Sequence, residues 1–445
     1  MSFEMDYDDD TRKIPYDDEP ISRGRQSGKS RKQNQSSQKK RLGIVDVFQF
    51  LLCILLIVAV VMLYNQIDVV GNQRETYNIN VDSETSNLAF ASAKGMLSTV
   101  NIGAVKALKD STPNDTSDDL PSVKIENSAD FFQGCYSLGS GVIYSLDKST
   151  GSAYIITNYH VIADALEYPN GFGFYYVLLW DSAVPIQASY IGGSYYYDIA
   201  VLYVTNSEEI KRSSCAQVVV ADSSDIVVGE ECVAIGNSMG RNLGVSNGCI
   251  RTEEIVFAKS YSKYVTYISH TASVNSGNSG GGLYNGNGDL IGIVNAKFLD
   301  VLEDKTLKYG EIVHGMFYAI PSKIALSVAE NIVRNGALVM PAVGLNCGVS
   351  YIWNNTRNAT TDKGLQTHHD LVMQTSTGDF KAGDKLLSVR YRYNGQEIID
   401  ELNHISSIEN NIFNWSKGDK VTFTVERGGE QISLEITVSD TSKVK

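Results

Sequence analysis

Residues 273–294 read SVNSGNSGGGLYNGNGDLIGIV. Ser279 lies at the centre of this stretch, with glycine at positions 277, 280 and 281. Glycine permits backbone conformations that strain residues with a Cβ atom, so this turn can hold the Ser279 hydroxyl exposed while its amide N–H groups point to one spot. The NGNGD segment that follows predicts a hairpin leading into another strand. A Gly/Ser-rich surface turn has the same local pattern, and only the rest of the chain distinguishes the two.

Two kinds of serine-hydrolase site are compatible with the glycines around Ser279. The G-x-S-x-G elbow of α/β-hydrolases requires a helix after the serine and a later acid and histidine, whereas a strand follows here. In the other arrangement, which is built on β-barrels, the catalytic residues follow the order histidine, aspartate, serine along the chain. AYIITNYHVI places His160 just past the end of a strand, and YYYDIAVLYV places Asp198 at the start of another. Either residue alone is more often structural, but their order and spacing together predict a Ser-His-Asp triad.

The composition disfavours nucleic acid as a partner and predicts neither a metal site nor a cofactor. The 445-residue chain carries a net charge of −13, which repels a phosphate backbone. Of its six cysteines, Cys53 falls in an apolar run, and the other five lack the C-x-x-C spacing of a zinc or redox site. The adjacent His368 and His369 have no metal-ligand spacing and are predicted to lie in a surface loop.

An N-terminal membrane anchor is predicted. Residues 1–43 are first acidic and then basic, and they are too polar to form a core, which predicts a disordered cytoplasmic tail. The run VFQFLLCILLIVAVVMLY is long enough to cross a bilayer, and we assign residues 44–65 to a transmembrane helix. A cleaved signal peptide is the alternative, but no small-residue cleavage site follows. Basic residues precede the span, so the linker at 66–87 and everything after it are predicted to be extracytoplasmic.

The middle of the chain is predicted to be mainly β. Over residues 88–320, short runs rich in valine, isoleucine and tyrosine alternate with turn residues, as in a barrel or sandwich. The polar segment at 106–131 is predicted to be a long exposed loop. A helix with Ser322 as its N-cap and Gly336 at its C-terminus closes the region.

The motifs TNYHVI, DIAVL and GNSGG, with the later GMFYAIPS, resemble the trypsin-like serine proteases of the HtrA (Deg) group. The resemblance implies a trypsin-like double β-barrel protease domain over residues 88–338, with the site between the barrels. It implies that Ser279 attacks the peptide carbonyl, that His160 transfers the proton and that Asp198 orients the histidine. The backbone donors of the oxyanion hole would come from the segment Gly277, Asn278 and Ser279.

Two residues near the serine depart from the family pattern. Thr271 stands where an aspartate is common in the family, and Gly282 stands where the family commonly has a proline after GNSGG.

The resemblance also implies which residues form the specificity pocket. They are Ser273, Val274, Asn275, Ser276, Asn295, Ala296 and Lys297. None is a carboxylate, so cleavage is predicted after small or medium apolar side chains rather than after lysine or arginine. Because Lys297 carries a positive charge, cleavage after an acidic side chain of the substrate is the alternative.

The C-terminal residues 339–440 resemble a PDZ domain. The segment PAVGL is similar to a shortened carboxylate-binding loop, and it places peptide binding at Val343, Gly344 and Leu345. Such a domain binds the extended C-terminus of a partner by adding a strand to its sheet. A β domain that serves only as a spacer is the alternative. The insert YIWNNTRNATTDKGLQTHHD, residues 351–370, is unusual and is expected to reshape the groove.

These features predict a membrane-anchored, extracytoplasmic serine endopeptidase of HtrA type, from a bacterium, that acts in protein quality control on unfolded, misassembled or C-terminally exposed proteins. Two alternatives stay open: a stress-sensing protease that cuts one dedicated membrane partner, and a catalytically silent peptide-binding scaffold. The family resemblance implies a homotrimer.

Overall fold

The computed structural model describes residues 87–106, 125–166, 173–258, 263–295, 315–342, 347–349, 356–361, 364–404 and 407–443. The predicted cytoplasmic tail and transmembrane helix, residues 1–43 and 44–65, lie outside these ranges. None of the helices within them is both apolar enough and long enough to span a bilayer.

Six antiparallel strands close the first barrel in the order β1-β2-β3-β6-β5-β4. Their bounds are β1 (Thr99–Lys106), β2 (Ser137–Asp147), β3 (Ser152–Thr157), β4 (Gly173–Leu179), β5 (Ile186–Ser194) and β6 (Ile199–Val204). Branched side chains such as Ile102, Ile155 and Val177 fill its interior and are fully buried. These residues favour strands because they pack well on a pleated surface.

A second closed barrel follows in the order β10-β11-β12-β9-β8-β7. Its strands are β7 (Glu231–Gly236), β8 (Gly244–Ala258), β9 (Lys263–His270), β10 (Gly282–Asn285), β11 (Leu290–Val294) and β12 (Phe317–Pro321). The NGNGD turn joins β10 to β11, as the sequence predicts. The predicted mainly β fold with a trypsin-like double barrel is therefore confirmed.

Short helices surround the barrels. They are α1 (Asn87–Ser98), α2 (Ser128–Gly134), α3 (Tyr159–Leu166), α4 (Glu208–Arg212) and α5 (Ser322–Asn335), with 3-10 turns at Ser223–Asp225 and Ser238–Gly240. The prediction that strands begin at residue 88 was wrong, because α1 occupies this position. Its alanine, leucine and methionine residues favour a helix, and Tyr284 of the second barrel hydrogen-bonds Thr99 directly after it, with 2.7 Å between the hydroxyl oxygens.

The prediction of a long exposed loop over residues 106–131 was wrong for its C-terminal end, where the helix α2 begins. Asn127 caps α2 by accepting hydrogen bonds from the backbone N–H groups of Ala129 and Asp130, at 2.9 and 3.0 Å. Phe131 is fully buried against the first barrel. One aromatic anchor and one cap are enough to order this polar segment. The centre of the predicted loop, residues 107–124, lies outside the described ranges.

The predicted helix after β12 is present as α5, with a different N-terminus. Pro321 occupies the N-cap position, and Ser322, predicted as the cap, is instead the first helical residue and donates to the carbonyl of Ala221 at 3.1 Å. Gly336 ends the helix with φ of +69°, as predicted, since glycine adopts this conformation without strain.

The C-terminal residues form a separate set of strands around one short helix. A sheet in the order β14-β17-β18-β20-β21, with β19 on β18, is accompanied by the pairs β13-β22 and β15-β16. The bounds are β13 (Val339–Ala342), β14 (Cys347–Val349), β15 (Thr356–Thr361), β16 (Gly364–His369), β17 (Leu371–Met373), β18 (Lys385–Tyr393), β19 (Gln396–Glu401), α6 (Ser407–Ile412), β20 (Lys420–Arg427), β21 (Glu430–Thr437) and β22 (Asp440–Lys443).

Candidate active site

His160 and Asp198 are held together by two hydrogen bonds. The Nδ1 atom of His160 lies 2.7 Å from Oδ2 of Asp198, and the backbone N–H of His160 donates to Oδ1 at 2.9 Å. His160 is the second residue of α3, directly after β3, and Asp198 directly precedes β6, which pairs with β3. The strand pairing therefore brings two residues 38 positions apart into contact.

Asp198 is buried and has an unusual backbone conformation. Its φ is +51°, a left-handed angle that aspartate and asparagine tolerate better than most residues. Its carbonyl accepts hydrogen bonds from the side-chain amide of Asn158 at 2.9 Å and from the N–H of Tyr159 at 3.2 Å. The amide of Asn295 donates to Oδ2 at 3.0 Å. The carboxylate is thus oriented by two donors, the backbone N–H of His160 and the amide of Asn295, and it presents Oδ2 to the imidazole.

Ser279 lies in the turn that joins β9 to β10 of the second barrel, and its own carbonyl ties the turn to the first barrel. The N–H of Ser140, on β2, donates to this carbonyl at 2.8 Å, and the carbonyl of Ser140 accepts from the Thr157 hydroxyl at 2.7 Å. Thr157 ends β3, three residues before His160. Ser140 therefore links the backbone of Ser279 to the end of the strand that precedes the histidine.

The glycines around Ser279 are required by the close approach of other backbone atoms. Gly277 has φ of +96°, and a Cβ there would overlap the carbonyl oxygen of Asn237. Gly280 has φ of +84°, and a Cβ there would overlap the carbonyl oxygen of Ser140. The N–H of Asn278, a residue of the predicted oxyanion segment, donates to Asn275 at 3.0 Å and is therefore already used within the turn.

Sequence reasoning missed Ser140, which braces this turn from the other barrel. Its buried hydroxyl donates to the carbonyl of Gly277 at 2.8 Å and accepts from the N–H of Asn237 at 2.7 Å. Nothing in the local sequence SLGSGVIYS distinguishes Ser140 from its neighbours, because both partners lie in the second barrel.

We expect Ser140→Ala to lower kcat by about 10- to 100-fold with a small change in KM, because the turn loses the contacts that position its donors. The check is steady-state peptide hydrolysis, with circular dichroism to show that the fold persists. Ser145→Ala, a half-buried serine on the same strand, is the matched control. A kcat equal to that of the control would contradict the positioning role.

The structure describes five of the seven residues predicted for the specificity pocket. Asn295 donates to Asp198, and Val274 is buried in the core of the second barrel. Ser273, Asn275 and Ser276 are exposed. Ala296 and Lys297 lie outside the described residues.

Gly282, one of the two departures from the family pattern, has a steric reason. A Cβ at this position would overlap the ring of Tyr284, whose hydroxyl is anchored at the end of α1. The other departure, Thr271, accepts a hydrogen bond from the N–H of Cys249 at 2.8 Å and so supports β8. Both substitutions serve the packing of the second barrel.

Two of the free cysteines are poor nucleophiles. Cys135, Cys215, Cys232 and Cys249 are free thiols. Burial raises the pKa of Cys135 and of Cys232 to about 12, so these two thiols stay protonated at neutral pH.

The comparisons with known proteins agree with this geometry. A family model described as a trypsin-like peptidase domain matches residues 139–293. The Serine protease Do-like HtrA of Lactococcus lactis is 27% identical over 314 residues, covering 68% of this chain and 70% of that protein. The Periplasmic pH-dependent serine endoprotease DegQ of Escherichia coli is 30% identical over 331 residues, covering 73% and 62%. A solved structure of the HtrA-type protease AlgW with tripeptide aligns at 22% identity with a TM-score of 0.47, covering 80% and 97%.

The double barrel and the matched peptidase domain make this chain a serine endopeptidase of the trypsin-like class. The alternative of a silent scaffold is disfavoured accordingly. Within the class, the relatives matched by sequence are named as an HtrA protease and a DegQ protease.

Proposed function

We propose that the chain hydrolyses peptide bonds through a triad of Ser279, His160 and Asp198. The observation that carries the proposal is the buried carboxylate of Asp198, which holds both the ring and the backbone of His160. The ring nitrogen that faces away from Asp198 takes the proton of the Ser279 hydroxyl as the hydroxyl attacks the carbonyl. Asp198 stabilises the resulting imidazolium without itself taking the proton.

The Gly277 and Ser279 N–H groups then stabilise the oxyanion. As the C–N bond breaks, the histidine gives the proton to the leaving amine, and a water activated by the same histidine then hydrolyses the acyl-enzyme and restores the Ser279 hydroxyl. An organophosphorus fluoride tests the assignment, since it forms a covalent adduct only with an activated serine. Peptide mapping by mass spectrometry should find the adduct on Ser279, and it should be absent from His160→Ala. An adduct on another serine would refute the proposed nucleophile.

We propose that cleavage occurs after small or medium apolar side chains. The exposed edge at Ser273, Asn275 and Ser276 carries no carboxylate, so a buried lysine or arginine of the substrate would lack a partner. Discrimination among apolar side chains should be modest, at about 1–3 kcal/mol per methylene. Sequencing the fragments of an unfolded protein maps the cut sites, and predominant cleavage after lysine or arginine would contradict this pocket.

We propose that residues 339–440 form a PDZ-like domain that binds peptide C-termini next to the protease domain at 88–338. In the sheet as described, β14 is an edge strand, and it directly follows the predicted loop at 343–345, which lies outside the described residues. An edge strand next to a carboxylate-binding loop suits strand addition. Peptides with a free C-terminal carboxylate should bind, and the same peptides with an amide terminus should not. Equal affinities by fluorescence anisotropy would contradict the proposal.

A contact between this region and the barrels supports a regulatory role. The ring of Tyr197 packs edge-on against Phe413, with 5.1 Å between ring centroids, and its hydroxyl lies 3.3 Å from a carboxylate oxygen of Glu409. Tyr197 directly precedes Asp198. The amide of Asn331, on α5, donates to the carbonyl of Phe413 at 2.9 Å. A shift of the C-terminal region would therefore act on the residue next to the catalytic aspartate.

We propose that residues 44–65 anchor the enzyme in a membrane with its catalytic domain outside the cytoplasm, where it degrades unfolded or misassembled proteins, as a homotrimer. The apolar span and the basic residues before it support this topology. Protease added to intact cells should remove a C-terminal tag and spare a tag at Met1. The opposite pattern would contradict the orientation.

A further inference from the structure

Three metal-ligating side chains meet away from the active site. Glu253 lies on β8 of the second barrel, His369 ends β16 and His404 follows β19. Each offers one ligand atom, and these atoms all lie within 4.8 Å of one another. All three residues are buried, with exposed fractions of 3 to 7%. Their spacing in the sequence, at 253, 369 and 404, shows no motif.

Hydrogen bonds among the described residues do not account for every polar atom of this cluster. Nδ1 of His404 lies 3.0 Å from Oε2 of Glu253. Nδ1 of His369 is buried and has no hydrogen-bond partner within the described part of the chain. A buried polar atom without a partner is costly and points to an absent ligand. The prediction that His369 lies in a surface loop was wrong, since it is a buried strand residue.

We propose that Glu253, His369 and His404 form a binding site for a divalent transition metal ion, with Zn²⁺ as the ion that suits the site best. Two imidazoles and one carboxylate are a known zinc donor set. Bond lengths of about 2.0–2.2 Å place neighbouring ligand atoms of a tetrahedral site roughly 3.3 Å apart. The three ligand atoms, which lie within 4.8 Å of one another, can therefore close on a single ion.

A cleft beside the cluster provides the entry path. It has a volume of about 330 Å³ and is lined in part by His368, His369, Asp370, Lys385, Glu401 and Asn403. Three protein ligands leave a fourth position of a tetrahedral ion for water from the cleft.

The ion would join elements far apart in the chain. The insert hairpin β15-β16 already lies on the second barrel, where the N–H of Val228 donates to Leu365 at 2.9 Å and the side chain of Gln366 donates to Asp225 at 3.2 Å. A metal shared by Glu253 and the two histidines would lock this hairpin and the segment after β19 to the barrel. Its role is structural: it clamps the C-terminal region, and it does not depend on the proposed catalytic triad.

The test is a zinc titration of the purified full-length chain after treatment with a chelator. Calorimetry and elemental analysis should give one Zn²⁺ per chain, with a rise in melting temperature. His369→Ala and Glu253→Gln should each weaken zinc binding by more than about 100-fold. Loss of an outer-shell residue, by comparison, typically costs about 10- to 100-fold. Glu231→Gln, which changes an exposed glutamate on β7 of the same barrel, is the matched control for Glu253→Gln and should keep the wild-type affinity. Circular dichroism shows whether each variant folds.

Absence of stoichiometric zinc binding by the wild-type chain would overturn the proposal, as would equal zinc affinity in His369→Ala. Should the variants fail to fold, Co²⁺ added to the wild-type chain gives an independent answer. Intense visible bands that vanish when Zn²⁺ is added would support a tetrahedral site of nitrogen and oxygen ligands. Weak bands typical of hydrated cobalt would refute it.

Discussion

Ser279→Ala is expected to lower kcat for peptide hydrolysis by about 10⁴- to 10⁶-fold, because the alanine side chain has no nucleophile and no other described residue replaces it. The turn should keep its conformation, since its contacts run through the carbonyl of Ser279 and through Gly277 and Gly280. Initial rates on unfolded casein, measured with a purified sample of confirmed melting temperature, check the prediction.

His160→Ala should cause a loss of similar size, and the double variant should lose little more, because triad residues act as one unit. Ser145→Ala is the matched control, because this half-buried serine lies on β2 and outside the proposed site. Its activity should stay near that of the wild type. Near-wild-type turnover by Ser279→Ala would show that the nucleophile lies elsewhere.

Asp198→Asn is expected to lower kcat by about 10⁴-fold with little loss of stability. Asparagine tolerates the left-handed φ of +51° at this position, so the backbone should persist. The new amide, however, has only one acceptor oxygen, which cannot serve both the backbone N–H of His160 at the Oδ1 position and the donors His160 and Asn295 at the Oδ2 position. With its oxygen on the backbone N–H, the NH2 group faces the ring, and the imidazole takes the wrong tautomer.

Single-turnover and steady-state hydrolysis measure the effect of Asp198→Asn, and thermal unfolding reports the fold. Asp181→Asn is the control, because this aspartate accepts bonds from Ser213 and Ser214 at the surface of the first barrel. It should change kcat by less than a factor of about two. A kcat for Asp198→Asn within tenfold of the wild type would mean that the carboxylate is not needed to orient His160.

The sequence by itself determined the class of fold, and it predicted the three residues of the proposed triad. Alternating apolar runs specify strands locally, and glycine specifies the turn around Ser279 because other residues would be strained there. The order of His160, Asp198 and Ser279 was visible because each residue lies at the end of a recognisable strand or turn. The hydrogen bonds between His160 and Asp198 then follow from the pairing of β3 with β6.

Only the tertiary structure decided which residues support the site. The contact of Ser140 with Gly277 joins the two barrels, and that of Asn295 with Asp198 joins residues 97 positions apart. Both are side-chain hydrogen bonds across long sequence separations, which leave no periodic pattern in the chain. The same reason hides the cluster of Glu253, His369 and His404, because its ligands come from three elements and are brought together only when the insert hairpin docks on the second barrel.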